Sequence, residues 1–121
     1  MSKLEQIQGS IDRLRNAIPE LHGALVASTD GLAIAQSLAG TADPNRMAAM
    51  AATALGLGKR ITSTLSAGDL TETTVSGTEG QIHIYATGNK GVLAVVAPQG
   101  VNVGLVHLEA REVARELADI L

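Results

Sequence analysis

Three histidines, twelve carboxylates and one glycine-rich basic segment are the parts of this chain equipped for chemistry. His22, His83 and His107 stand far apart in sequence and lack the i, i+4 spacing that sets two imidazoles on one helical face for zinc. The carboxylates fall at caps and turns (Glu5, Asp30, Asp43, Asp69, Glu79), on solvated helix faces, or singly at Glu20 and Glu72. No two are spaced for paired general acid–base work. Serines are numerous, yet none sits in a G-x-S-x-G elbow. Gly56-Leu57-Gly58-Lys59-Arg60 has a distant likeness to a phosphate loop. However, Thr53 stands where the first glycine belongs, Arg60 replaces the Mg²⁺-binding hydroxyl, and the segment lies inside a predicted helix instead of before one. Nucleotide binding is therefore not expected. The residues point to no catalytic, metal or cofactor site, and a domain of this kind is most simply a binding or scaffolding module.

Composition narrows the partners. With 121 residues, 45% hydrophobic and 17% charged, the chain reads as one globular domain over residues 1–121. A net charge of −3 lacks the basic footprint that phosphate backbones require. With no Phe or Trp and Tyr85 alone, it cannot build the stacking platforms used on single-stranded nucleic acids. No apolar run approaches the ~18 residues that span a bilayer, and the first residues show no signal-peptide core, so no membrane insertion is expected. The absence of cysteine is compatible with the cytoplasm, the expected location.

The element around which the rest is organised runs from Asp43 to Leu65. Asp43 is a fitting N-cap, and Pro44 suits the first helical position. At ~100° per residue, one arc collects Met47, Met50, Ala51, Ala54, Leu55, Leu57, Gly58, Ile61 and Leu65, and is expected to face a sheet. The opposite arc holds Ala49, Ala52, Thr53, Gly56, Lys59, Arg60 and Ser63, and no residue between Met47 and Gly58 is charged. Gly56 and Gly58 each cost roughly 1 kcal/mol of helix propensity relative to alanine. A small-residue helix tucked under a loop is one reading. The favoured one is a helix buried on both sides, with Ala49, Ala52, Thr53, Gly56 and Ser63 meeting a second subunit in a homodimer.

Taken in order, the remaining elements are as follows. Ser2 and Glu5 have capping-box spacing before an amphipathic helix carrying Leu4, Ile7, Ile11, Leu14 and Ile18, stopped by Pro19. Asp30-Gly31 joins Gly23–Ala27 to Leu32–Leu38 as a hairpin. Leu70–Ser76 is threonine-rich and alternating, which suits an edge strand. In Gln81–Thr87, Ile82, Ile84 and Ala86 are expected to face inward, and His83, Tyr85 and Thr87 outward. Val92–Ala97 is apolar on both faces and therefore central. Asn102 caps a last helix with a stripe of Val103, Val106, Ala110, Val113, Ala114, Leu117 and Leu121. The order α-β-β-α-β-β-β-α, linked by hairpins, predicts an α/β sandwich: a five-stranded antiparallel sheet with the central helix on one face and both terminal helices on the other.

Several of these segments, in this order, resemble one family. Ala24-Leu25-Val26-Ala27-Ser28-Thr29-Asp30-Gly31-Leu32 resembles the first hairpin of roadblock/dynein-light-chain domains, where a strand leads through a D-G-L turn. The small-residue helix with Ala48, Ala49 and Leu55–Gly58 is similar to their central helix. Gly91–Val96 and Asn102–Val106 are similar to their last strand and the opening of their last helix. The resemblance covers essentially the whole chain. It implies a homodimer or heterodimer in which central helices pair and edge strands join two sheets. Such platforms bind small Ras-like GTPases; MglB-type members act as GTPase-activating partners of MglA-type GTPases, others belong to actinobacterial conservon systems, and relatives serve in dynein and lysosomal Ragulator scaffolds. The family carries no nucleotide site and no catalytic signature. The function expected is thus a noncatalytic regulator or scaffold that dimerises and binds a small Ras-like GTPase, with Arg46, Lys59 and Arg60 as its basic contacts. The alternative is a small-molecule sensor or a purely structural dimerisation module of the profilin/PAS-like type.

Overall fold

The computed structural model describes residues 1–121. Ser2 and Glu5 close the capping box that opens helix α1 (Lys3–Ala17): Glu5 N–H donates to Ser2 Oγ, and Ser2 N–H to Glu5 Oε1. Asp43 accepts from the backbone N–H of Asn45 and Arg46 to start α2 (Pro44–Thr64), and Asn102 accepts from Leu105 N–H to start α3 (Val103–Ile120). Between the helices lie β1 (Gly23–Ser28), β2 (Ala33–Leu38), β3 (Glu72–Gly77), β4 (Gly80–Thr87) and β5 (Gly91–Pro98). The strands form one antiparallel sheet in the order β2-β1-β5-β4-β3. The apolar β5 is its middle strand, and the threonine-rich β3 is one edge.

Strand alternation sends successive side chains to opposite faces. Ala24, Val26, Tyr85, Leu93 and Val95 join Ile7, Ile11, Leu14, Val106, Ala110 and Leu117 in the larger core, beneath α1 and α3. Leu25, Ala27, Ile84, Val92 and Ala94 meet α2 on the other face. The antiparallel α/β sandwich expected from the sequence is the fold observed.

Two expectations are corrected. His83, Tyr85 and Thr87 do not face outward to solvent: each is 1% exposed, because α3 covers that face of β4 as α2 covers the other. The sheet-facing arc of α2 is also different. Its fully buried residues are Ala48, Ala51 and Leu55, whereas Met50, Leu57, Ile61 and Leu65 are 50–72% exposed. The helix is turned by roughly 80° about its axis from the arc that its large apolar residues define. Short side chains decide the contact. The Asp30-Gly31 turn (Gly31 φ +89°) lies over the helix, and a Cβ on Gly31 would stand 3.3 Å from Ala49 Cα and 3.8 Å from Ala52 Cβ. Lower down, a Cβ on Gly58 would meet a Leu70 methyl at 2.7 Å. The close approach that Gly58 permits is thus made within the chain, by the segment leading into β3.

Candidate interaction surface

The rotation of α2 leaves an outward ridge of Arg46, Ala49, Thr53, Gly56 and Arg60, all exposed, flanked by the exposed Met50, Leu57 and Ile61. A Cβ at Gly56 would have nothing within 4 Å. Charges occur only toward the ends of this ridge, and its middle is apolar or small. Contiguous apolar surface of this kind on a small domain marks a contact site more often than a solvated face. Of the residues assigned to a subunit contact, Ala49, Thr53, Gly56 and Ser63 are exposed. Ala52 is half-buried against the cluster under α2 and lies below the Gly31 turn. Lys59 is half-buried and lines, with Ser63, a groove of about 1080 Å³ between the end of α2, β3 and α3. Arg46 and Arg60 are exposed at the two ends of the ridge.

The two sheet edges differ. On β2, Gln8 donates to the Gln36 carbonyl at 3.2 Å, and the Gln36 amide oxygen accepts from Leu38 N–H at 3.1 Å. Side chains thereby cap two of that edge's outward backbone groups. On β3, the two-residue turn pairs Gly77 with Gly80, and Ala86 N–H donates to the Thr71 carbonyl. This register turns the backbone of Thr73 and Val75 toward β4, and that of Glu72, Thr74 and Ser76 outward. No side chain caps those outward groups. Val75, 53% exposed, shares its sheet face with α2.

Against these observations, comparison with known proteins is decisive for the family. The sequence profile of the Roadblock/LC7 domain matches residues 7–97. The chain belongs to the Roadblock/LC7 family. A Methanocaldococcus jannaschii protein, MJ0714, is 30% identical over 92% of this chain and 96% of its own length. Among solved structures, MglB in a tetrameric arrangement superposes with a TM-score of 0.89 at 18% identity, over 99% of this chain and 90% of that one. The gliding protein MglB of Thermus thermophilus does so with the same score at 17% identity, over 99% and 91%. At these identities the likeness concerns the fold.

The Roadblock/LC7 domain also carries a polar cluster that spacing alone did not reveal. Across β3, β4 and α3, Arg111 donates to both Glu72 carboxylate oxygens at 2.8 and 2.9 Å. His107 Nδ1 lies 3.1 Å from Glu72 Oε2 and 2.8 Å from the Tyr85 hydroxyl. The His83 and His107 rings meet edge to face with centroids 4.9 Å apart, and His83 Nδ1 is 2.9 Å from Thr74 Oγ1. The bidentate hydrogen bond from Arg111 holds the Glu72 carboxyl below its ordinary value. Burial first, and then the Glu72 carboxylate, push the Tyr85 hydroxyl well above its usual range. The register of the Gly77–Gly80 turn, which pairs Glu72 with Tyr85 and Thr74 with His83, was the one available signal. It says nothing of α3, which supplies the other half. No three His, Asp or Glu side chains converge as a metal site, and no helix is long and apolar enough to cross a membrane.

The cluster makes a pH prediction. A carboxyl held low in the fold stabilises it above the unfolded value, here 4.5, and that contribution is lost as pH falls through the folded value. Arg111→Ala is expected to be less stable than wild type at neutral pH, with the gap closing as the pH falls below 4.5. Urea unfolding at a series of pH values reads this directly. A gap that stays constant down to the most acid condition would separate Glu72 from the effect of Arg111.

Proposed function

We propose that this Roadblock/LC7 domain is a noncatalytic regulator or scaffold. It forms a homodimer through the uncharged middle of the outward ridge of α2 and the open edge of β3, and the joined helices bind a small Ras-like GTPase. In the finer form of this reading, binding stimulates GTP hydrolysis by that partner. The observation that carries the proposal is the conjunction of an exposed, uncharged middle on α2 with an uncapped β3, while side chains cap two outward groups of β2. Two such surfaces brought together cover Met50, Leu57 and Ile61 and leave a saddle with Arg46 and Arg60 at its ends. Cationic ends suit an acidic partner surface and speed its encounter. The fold shared with MglB, one structure of which has a tetrameric arrangement, is in keeping with self-association. The net charge of −3 speaks against a nucleic-acid partner. A sensor of apolar small molecules is less well supported, because the groove is lined mainly by polar side chains and its only aromatic is Tyr85.

A double charge reversal, Lys59→Glu with Arg60→Glu, tests the partner surface. Binding of a GTP-loaded small Ras-like GTPase from the same genome, measured by calorimetry, is expected to weaken by more than ~2 kcal/mol, the scale of an interface hot spot. The mass and melting temperature of the homodimer should stay near the wild-type values. Unchanged GTPase affinity would place the partner elsewhere on the domain.

A further inference from the structure

We propose that His83, with His107 and Glu72, is an acid-sensitive latch that fastens the edge strand β3 to β4 and α3 and lets it open when His83 takes up a proton. His83 is 1% exposed, and its Nε2 has no hydrogen-bond partner, while Nδ1 is engaged by Thr74 Oγ1 of β3. Neutral imidazole tolerates this. With its single N–H on Nδ1, the ring donates to Thr74 Oγ1 and leaves only a bare lone pair on the unpartnered Nε2. The cation does not, because both nitrogens then carry N–H and the one on Nε2 is buried with no acceptor.

The groups facing His83 act in both directions. From α3 come His107, its ring centroid 4.9 Å away, and Arg111; from β3 comes Glu72; from β4 itself comes Tyr85. On β5 it pairs with Val95, and that strand has no ionisable residue. Glu72 favours a proton on His83, but its carboxylate is already engaged by Arg111 and His107. Burial, followed by repulsion from His107, lowers the His83 pKa below 6.5. The unfolded or locally opened chain binds a proton that the closed form refuses, so closed-state stability is lost as the pH falls from 6.5 toward the folded value.

The opening is local because of what the cluster joins. Two of the three β3 side chains on the α3 face of the sheet, Glu72 and Thr74, end in it. Within one chain the strand has no neighbour on its other side, whereas β1 and β5 are paired on both edges. Its consequence for assembly rests on the homodimer proposed above; the latch itself belongs to a single chain.

Hydrogen exchange of the full-length protein tests it. The amides of Thr73 and Val75, which point to β4, are followed at about pH 7.5 and about pH 5.5 after correction for intrinsic rates, against those of β1 and β5. Their protection is expected to fall about tenfold more than that of β1 and β5. In His83→Asn, which keeps an amide beside Thr74 but does not titrate, the selective loss should vanish. Uniform loss across the sheet, no loss, or the same loss in His83→Asn would overturn the latch. Should that variant not fold, the wild-type His83 imidazole titration by NMR decides: a loss of Val75 protection that begins near 6.5 and levels off at the His83 midpoint supports the latch, and a loss that starts or continues below that midpoint overturns it. Light scattering on the same samples reports the dimer independently, so failure of the latch and failure of the dimer are told apart.

Discussion

Gly56→Glu is expected to convert the protein from dimer to monomer, as read by light scattering at roughly tens of micromolar. The position suits the test because a Cβ there meets nothing within 4 Å, so the isolated chain accommodates the new side chain. Replacing a glycine inside a helix also raises local propensity by somewhat under ~1 kcal/mol, which favours the monomer fold. At a helix–helix contact the same carboxylate is buried without a partner. That costs about 3 kcal/mol or more, roughly a hundredfold or greater in dissociation constant. An Ala52→Glu substitution, which the sequence alone also nominates, is a poor substitute. Ala52 lies under the Gly31 turn, and a charge there damages the single chain before it reports on a partner. If Gly56→Glu keeps the wild-type mass, the ridge of α2 is not the subunit contact.

Leu55→Ala is expected to cost about 3 kcal/mol of stability and to lower the melting temperature by about 10 °C. Leu55, at 1% exposure, is the only large fully buried side chain that α2 sets against the sheet; Ala48 and Ala51 are the others buried there. Truncating it leaves a cavity beside Ile84, Val92 and Ala94 that small neighbours fill poorly. Leu57, two residues on and 57% exposed, provides the contrast. In a Gly56→Glu background, where no partner covers it, Leu57→Ala should change stability by less than ~0.5 kcal/mol. In the dimer it should weaken association instead. Equal destabilisation by the two substitutions in the monomeric background would mean that α2 sits on the sheet in the orientation its large residues define.

Chain-local chemistry determined the order of elements, their caps and turns, and the places of the central and edge strands. Capping carboxylates and hydroxyls, the Asp30-Gly31 and Gly77–Gly80 turns, the apolar run of β5 and the threonines of β3 act over a few residues, and a few residues are enough to read them. The rotation of α2 was decided only in three dimensions. An apolar arc weighs side-chain size and hydrophobicity, whereas close approach to a filled sheet selects Ala48 and Ala51 and turns Met50, Leu57 and Ile61 outward. Burial of His83, Tyr85 and Thr87 has the same origin, since a strand that alternates in sequence is dry on both faces once α3 docks on its second one. The Glu72–His107–Arg111 contacts then join residues 35 to 39 positions apart. No local period carries such a separation; the packing of α3 across β4 and β3 makes it.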